Sequence, residues 1–163
     1  MYSKMISSPI GELYLVATEL ALVSLDNHKN DLYNRATSSK NHYVLNRTHA
    51  QLNEYFNGKR FEFDLPLAPY GSPFQVKVWN ALREIPYGDV WSYGQQAKFI
   101  KSPKAFRAVG AANGKNPLPI IIPCHRVVGS SGKLIGYSGG IEMKINLLKH
   151  EGHQIDGLQL VKY

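Results

Sequence analysis

Ser92-Tyr93-Gly94-Gln95-Gln96-Ala97-Lys98-Phe99-Ile100 and Ser102-Pro103-Lys104-Ala105-Phe106-Arg107-Ala108-Val109-Gly110-Ala111-Ala112-Asn113 are two helix starts in close succession. Serine followed three residues later by glutamine is a capping box, in which each side chain satisfies a backbone N–H left over by the first turn. It predicts a short helix from Ser92 to about Ile100. Ser102-Pro103 predicts a second helix, Lys104 to about Asn113, because proline tolerates the first helical turn. Two helices joined by a turn of two or three residues form a helix-turn-helix. The second helix carries Lys104, Arg107 and the small residues Ala105, Ala108, Gly110, Ala111 and Ala112. A helix so narrow enters a groove closely, or packs closely on a neighbour; pattern alone leaves both open.

Charge favours the groove. The net charge of the chain is +7. Residues 1–71 hold seven Lys/Arg against seven Asp/Glu, whereas residues 72–163 hold twelve against five. No acidic residue lies between Asp89 and Glu142, while Lys98, Lys101, Lys104, Arg107, Lys115, Arg126 and Lys133 do. A solvated basic face reads the same way, but a long window without carboxylates is what a phosphate-facing surface requires. Helix starts at Ser72, Ser92 and Ser102 would also offer N–H groups to phosphates.

Around this pair the rest of the second half is helical. Ser72-Pro73-Phe74-Gln75 is another capping box with proline at the first helical position, and Phe74, Val78 and Leu82 form its apolar stripe. Ile85-Pro86-Tyr87-Gly88 ends that helix. Gly129–Gly140 is a glycine-serine loop without the spacing of a phosphate-binding fingerprint, which excludes nucleotide binding of those kinds. A last helix is predicted from about Ile141 to His150, with Ile141, Ile145 and Leu148 aligned and Gly152 as its stop. Glu151 falls at the negative end of that helix, a mildly unfavourable place for a carboxylate.

The first half has a different grammar. Residues 2–25 read as extended chain, with Ser8-Pro9-Ile10-Gly11 as a turn and Leu20–Leu25 as a third apolar run. Residues 26–43 are polar and irregular. A helix is predicted from about Leu45 to Asn57, with Thr48, Leu52 and Tyr55 on one face, and Phe61, Phe63 and Leu65 alternate as a further strand. The expected organisation is a small α+β domain, residues 1–68, followed by a helical domain, residues 72–163.

Cys124 is the single cysteine, in Ile121-Ile122-Pro123-Cys124-His125-Arg126-Val127-Val128. It has no internal disulfide partner and no fellow thiolates for a metal cage. A buried spectator or a nucleophile remains. Cationic neighbours favour the nucleophile, because positive charge beside sulfur lowers the thiol pKa.

Taken in order, Ser72-Pro73-Phe74-Gln75, Val78-Trp79, Ile85-Pro86-Tyr87-Gly88, Ser92-Tyr93-Gly94, Arg107-Ala108-Val109-Gly110, Asn116-Pro117, Ile122-Pro123-Cys124-His125-Arg126-Val127, Tyr137-Ser138-Gly139-Gly140 and His150-Glu151-Gly152 closely resemble the 6-O-alkylguanine-DNA alkyltransferases, the methylated-DNA–protein-cysteine methyltransferases. The resemblance is dense over residues 72–152 and loose before them. It implies a ribonuclease-H-like N-terminal domain and a helical, winged-helix-like C-terminal domain with the helix-turn-helix. It implies irreversible, single-turnover transfer of an alkyl group from the 6-oxygen of guanine, and from the 4-oxygen of thymine, to Cys124. His125 would activate Cys124 through a water and be oriented by Glu151, in the logic of a triad. Asn116 would hold the active-site turn, and Tyr93 would donate a proton to the leaving guanine. Val127, Tyr137, Ser138 and Gly139 would form the base pocket. The damaged base must be flipped out, with unstacking costing roughly a few kcal/mol. Arg107 would fill the vacated space from the minor groove, flanked by small residues, with Tyr93, Gly94, Ser102 and Ser130 also contacting DNA.

The implied partner is double-stranded DNA bearing alkylated guanine, bound by a monomer, with no metal, no cofactor and no membrane association. Some relatives hold a structural zinc through cysteines, which a chain with one cysteine does not match. Trp91 departs from the family, whose members usually carry a smaller residue there. One cysteine and no apolar leader segment after Met1 point to a reducing, cytoplasmic setting. Two other readings compete: a non-catalytic damage binder resembling alkyltransferase-like proteins, which replace the cysteine, and a cysteine hydrolase. The latter has no use for a helix-turn-helix and normally keeps its histidine distant in sequence.

Overall fold

The computed structural model describes residues Met1–Val161 and divides into two units, Met1–Tyr70 and a second that begins at Gly71. In the first, strands β1 (Tyr2–Ser8), β2 (Gly11–Ala17) and β3 (Leu22–Asp26) form an antiparallel meander. Gly11, at φ +107°, makes the first turn in a conformation that glycine adopts without penalty. Leu13, Leu15, Val16 and Ala17 are buried together with Leu22, Val23 and Leu25. A short helix α1 (Asp31–Arg35) follows, capped by Asn30, whose side chain accepts from the Tyr33 N–H. Strand β4 (Thr37–Ser38) then pairs in parallel with β1, giving a sheet of order β3-β2-β1-β4. Both elements lie in residues 26–43, read as irregular; two-residue strands and one-turn helices are fixed by pairing and capping, not by periodicity.

Helix α2 (Tyr43–Phe56) buries Thr48, Leu52 and Tyr55 as its spacing predicts, and Gly58 stands just beyond it at φ +73°. The strand expected from Phe61 to Leu65 does not form. The Gln51 side chain takes the place of a partner strand: its Nε2 donates to the Asp64 carbonyl, and its Oε1 accepts from the Asp64 N–H, both at 2.9 Å. With the backbone satisfied by one side chain, alternation alone produces no ladder.

In the second unit, α3 (Pro73–Leu82) starts at the expected capping box and buries Val78, Trp79, Ala81 and Leu82, with Phe74 half-buried. Strand β5 (Trp91–Ser92) leads into α4 (Tyr93–Phe99), again through a full capping box. The next helix, α5 (Phe106–Gly114), departs from expectation. It starts after Ala105, not Ser102, and six residues, 100–105, separate it from α4. The chain leaves α4 through a Schellman turn: Lys101 N–H donates to Lys98 and Ser102 N–H to Ala97, both at 2.9 Å. Lys101 supplies the left-handed residue, at φ +61°. Ser102 therefore belongs to the exit from α4 and offers no helix N-terminus.

Helices α4 and α5 are locked by a reciprocal amide pair, Gln96 with Asn113 at 2.7 and 3.0 Å. The Trp79 indole on α3 donates to the Ala112 carbonyl on α5 at 2.8 Å. A parallel bridge joins β5 to β6 (Val127–Val128), helix α6 spans Ile141–His150, and strands β7 (Ile155–Asp156) and β8 (Gln159–Leu160) close a small hairpin. Ile141, Ile145 and Leu148 of α6 pack with Val128 and Leu134. Among the described residues no helix is long and apolar enough to cross a membrane.

Candidate active site around Cys124

Cys124–Arg126 form one 3-10 turn, pinned on both sides. Downstream, Trp91 pairs with Val127 and Ser92 with Val128, which sets the start of α4, and hence Tyr93, beside the cysteine turn. Upstream, Asn116 Nδ2 donates to the Ile122 carbonyl at 2.7 Å and to Cys124 Sγ at 3.1 Å, while its oxygen accepts from the Leu118 N–H at 2.9 Å. Ile120 lies at φ +76°, unusual for a β-branched residue and worth about 1–3 kcal/mol of strain. Full burial of its side chain and the Asn116 bonds hold that turn in place.

Cys124 is 3% exposed, with Ser138 Oγ 3.9 Å from its sulfur. Burial pushes the Cys124 thiol pKa up; hydrogen bonds from Asn116, Ser138 and Tyr137 and the charge of Lys144 pull it down without reversing the direction. The expectation that His125 and Arg126 acidify the thiol is therefore corrected. Successive residues of a 3-10 turn point about 120° apart, and Arg126 is aimed elsewhere: Nη1 donates to the Ile85 carbonyl at 2.7 Å, Nε to Glu151 Oε1 at 2.8 Å and Nη2 to Glu151 Oε2 at 3.1 Å. His125, fully buried, has its pKa lowered by that burial against the pull of Glu151, so it is neutral near pH 7.

Glu151, at the C-terminal end of α6, is the hub of this cluster. Burial alone would raise its carboxyl pKa, but the His125 and Arg126 partners outweigh burial and hold it far below the usual range. Its Oε2 lies 2.7 Å from His125 Nε2. With the carboxylate ionised and bound by the guanidinium, the neutral imidazole donates Nε2–H to it and carries its lone pair on Nδ1. That buried Nδ1 has no hydrogen-bond partner among the described residues. An imidazole so oriented is a base with one nitrogen reserved for an incoming proton.

Lys144 is the group that the sequence reading missed. It is 1% exposed on α6, and its Nζ donates to the carbonyls of Val127 at 2.6 Å and Ile135 at 3.0 Å. Burial lowers its pKa to about 8, against the charge of Cys124, which raises it. Its nitrogen also lies 6.0 Å from the Tyr93 ring centroid. Helical spacing carried the signal: Lys144 is three residues after Ile141 and four before Leu148, on the apolar stripe. The clamp role of Arg126 was missed too, since its partner is 25 residues away.

Tyr93, Asn116, Cys124, His125, Ser138 and Glu151 are thus brought into one connected region. Burial, then the Cys124 charge, raise the Tyr93 phenol pKa, so it keeps its proton. Tyr93 lies against Gly110, where an added Cβ would sit 3.7 Å from the ring. Tyr137 meets His125 edge-on at 6.4 Å, and a Cβ at Gly139 would run into Met143 and the Tyr137 ring. Val127 is buried, and its carbonyl is already engaged by Lys144. Gly94, Arg107 and Ser130 are exposed and Ser102 half-buried, on the surface of the unit rather than against the sulfur. Trp91 rests on Phe99, with ring centroids 5.1 Å apart. Among the described residues no group of three or more His, Cys, Asp or Glu has metal-holding geometry.

Comparison with known proteins points the same way. Residues 1–69 match the ribonuclease-like domain of 6-O-methylguanine DNA methyltransferase, and residues 73–153 match its DNA binding domain. The methylated-DNA–protein-cysteine methyltransferase of Methanosarcina acetivorans is 46% identical over 93% of this chain and 99% of its own. That of Mycobacterium leprae is 52% identical over 65% of this chain and 64% of its own. A crystal structure of Mycobacterium tuberculosis OGT in complex with DNA superposes with a TM-score of 0.86 at 45% identity, covering 93% of this chain and 92% of that one. The α+β architecture, with its ribonuclease-like first domain and helical DNA-binding second domain, and the cysteine site together place the chain in the 6-O-methylguanine DNA methyltransferase family.

Proposed function

We propose that this protein repairs DNA by moving an alkyl group from the 6-oxygen of guanine, or the 4-oxygen of thymine, to Cys124, once per molecule. Direct alkyl-transfer repair is the activity of the family to which the chain belongs. The observation that carries the residue assignment is the buried sulfur beside a neutral imidazole whose other nitrogen is tied to an ionised carboxylate.

At rest Cys124 is a thiol, which protects a buried sulfur from adventitious chemistry. Transfer begins when the thiol proton moves toward His125 Nδ1, through a water, and Glu151 with Arg126 stabilises the imidazolium that forms. The charge of Lys144 stabilises the nascent thiolate. The sulfur attacks the alkyl carbon, a C–S bond forms as the C–O bond breaks, and the electron pair of the C–O bond goes to the guanine. Tyr93 donates its proton to the ring nitrogen of the departing base and is reprotonated from the relay. The products are a neutral guanine and a thioether. A thioether has no good leaving group, so the protein is consumed.

The M. tuberculosis relative is crystallised with DNA. The partner proposed here is duplex DNA bearing alkylated guanine, engaged by a monomer through residues 72–163. Arg107 on the exposed first turn of α5 fills the space of the flipped nucleotide, and Tyr93, Gly94, Ser102 and Ser130 contact the strand. A cytoplasmic setting suits a free thiol that must stay reduced. A non-catalytic binder is disfavoured because Cys124 and both relay partners are present.

The test is stoichiometry. An oligonucleotide carrying isotopically labelled 6-O-methylguanine should lose one label per protein molecule, with no further loss when the DNA is in excess. Repeated turnover, or tight binding with no label moved, rejects the proposal.

A further inference from the structure

Phe106 opens α5 and is 49% exposed, and Arg107 and Ala108 behind it are exposed too. The other exposed ring of this region, Phe99, leans on Trp91. Phe106 instead faces the Arg107 guanidinium, whose carbon lies 5.9 Å from the ring centroid. Lys101 and Lys104 are exposed just before it, within the window that lacks any Asp or Glu from Val90 to Ile141. Among the described residues no side chain caps the helix. A large apolar ring set inside a cationic rim is complementary to a base step bounded by phosphates: cations meet the backbone and the ring meets the face of a base. Beside the small residues that flank Arg107, Phe106 is its immediate neighbour in the chain.

We infer that Phe106 is a second intercalating residue, an apolar wedge that enters the base step beside the flipped nucleotide while Arg107 takes the vacated place. The inference rests on α5 as the DNA-facing helix. The contact between guanidinium and ring holds the two side chains as neighbouring plates, and the wedge opens the stack that the lesion must leave.

Single-turnover transfer from a 6-O-methylguanine duplex, compared with transfer from free 6-O-benzylguanine, tests this. Phe106→Ala should slow duplex repair roughly tenfold, the size of one lost base–aromatic stack, and leave the free base unaffected. Phe106→Trp should retain the duplex rate. In an Arg107→Ala background, Phe106→Ala should cause a further drop. Wild-type duplex repair by Phe106→Ala, equal losses on both substrates, or no further drop without Arg107 would each overturn the wedge. Intact duplex repair by Arg107→Ala, alongside a loss for Phe106→Ala, would remove the assigned role of Arg107 and leave the wedge standing.

Discussion

Burial drives the Cys124 thiol pKa up and the Lys144 pKa down, and the charge of each group opposes that shift in the other. The lysine is held for this by two backbone carbonyls, one of them from Val127, three residues after the cysteine. Replacing it with the apolar, similarly shaped methionine removes the cation. The thiol pKa then rises further, so the pH profile of Cys124 alkylation by a small electrophile should move to higher pH. A structural role alone would lower stability without moving the profile. An unshifted profile in Lys144→Met contradicts the electrostatic role.

Glu151 contributes to the acid sensitivity of the fold. Its folded pKa lies far below its ordinary value of 4.5. A depressed carboxyl contributes stability that is present above the unfolded pKa and lost as pH falls toward the folded one. Chemical denaturation should therefore show the wild type losing stability below about pH 4.5. Glu151→Gln should be less stable by about 3–5 kcal/mol at pH 7, since Arg126 is left buried without its partner, and its stability should fall less steeply with acid. Parallel pH slopes for the two proteins would contradict this.

Tyr93→Phe keeps the ring that packs on Gly110 and removes the proton donor. Duplex affinity should be unchanged, while single-turnover transfer slows by roughly a hundredfold, the lower end of what a general acid contributes. Weakened binding with an unchanged transfer rate would contradict the proton-donor role and leave Tyr93 its strand contact alone.

Lys101 occupies the left-handed position after α4 without being glycine. Lys101→Gly should raise stability by about 0.5–1 kcal/mol, the strain released less the extra entropy of the unfolded chain. Urea denaturation reads this directly, and a destabilised variant would mean that the lysine side chain holds the turn.

What was legible in the sequence was local. The capping boxes at Ser72 and Ser92, the span of α6 and the stop at Gly58 are written in residues within one turn of each other, and they form as expected. Elements defined by remote partners were not legible. β4, β5 and β6 are two residues long and exist through pairing, and Gln51 pre-empted a strand at Phe61–Leu65. The start of α5 was misplaced because Ser102-Pro103 imitates a cap while serving the exit from α4. At the site, the linear motif placed cations beside Cys124, but a 3-10 turn sends Arg126 to Glu151 and burial neutralises His125. The cation whose charge acts on the sulfur comes from the buried face of α6, 20 positions later in the chain.

The most direct measurement is peptide-level mass spectrometry of the protein after reaction with an oligonucleotide containing 6-O-methylguanine. One methyl group should appear on the peptide containing Cys124, in step with the appearance of unmodified guanine in the DNA. A methyl group on any other residue, or restored guanine with Cys124 unmodified, would contradict the assignment of this sulfur as the acceptor.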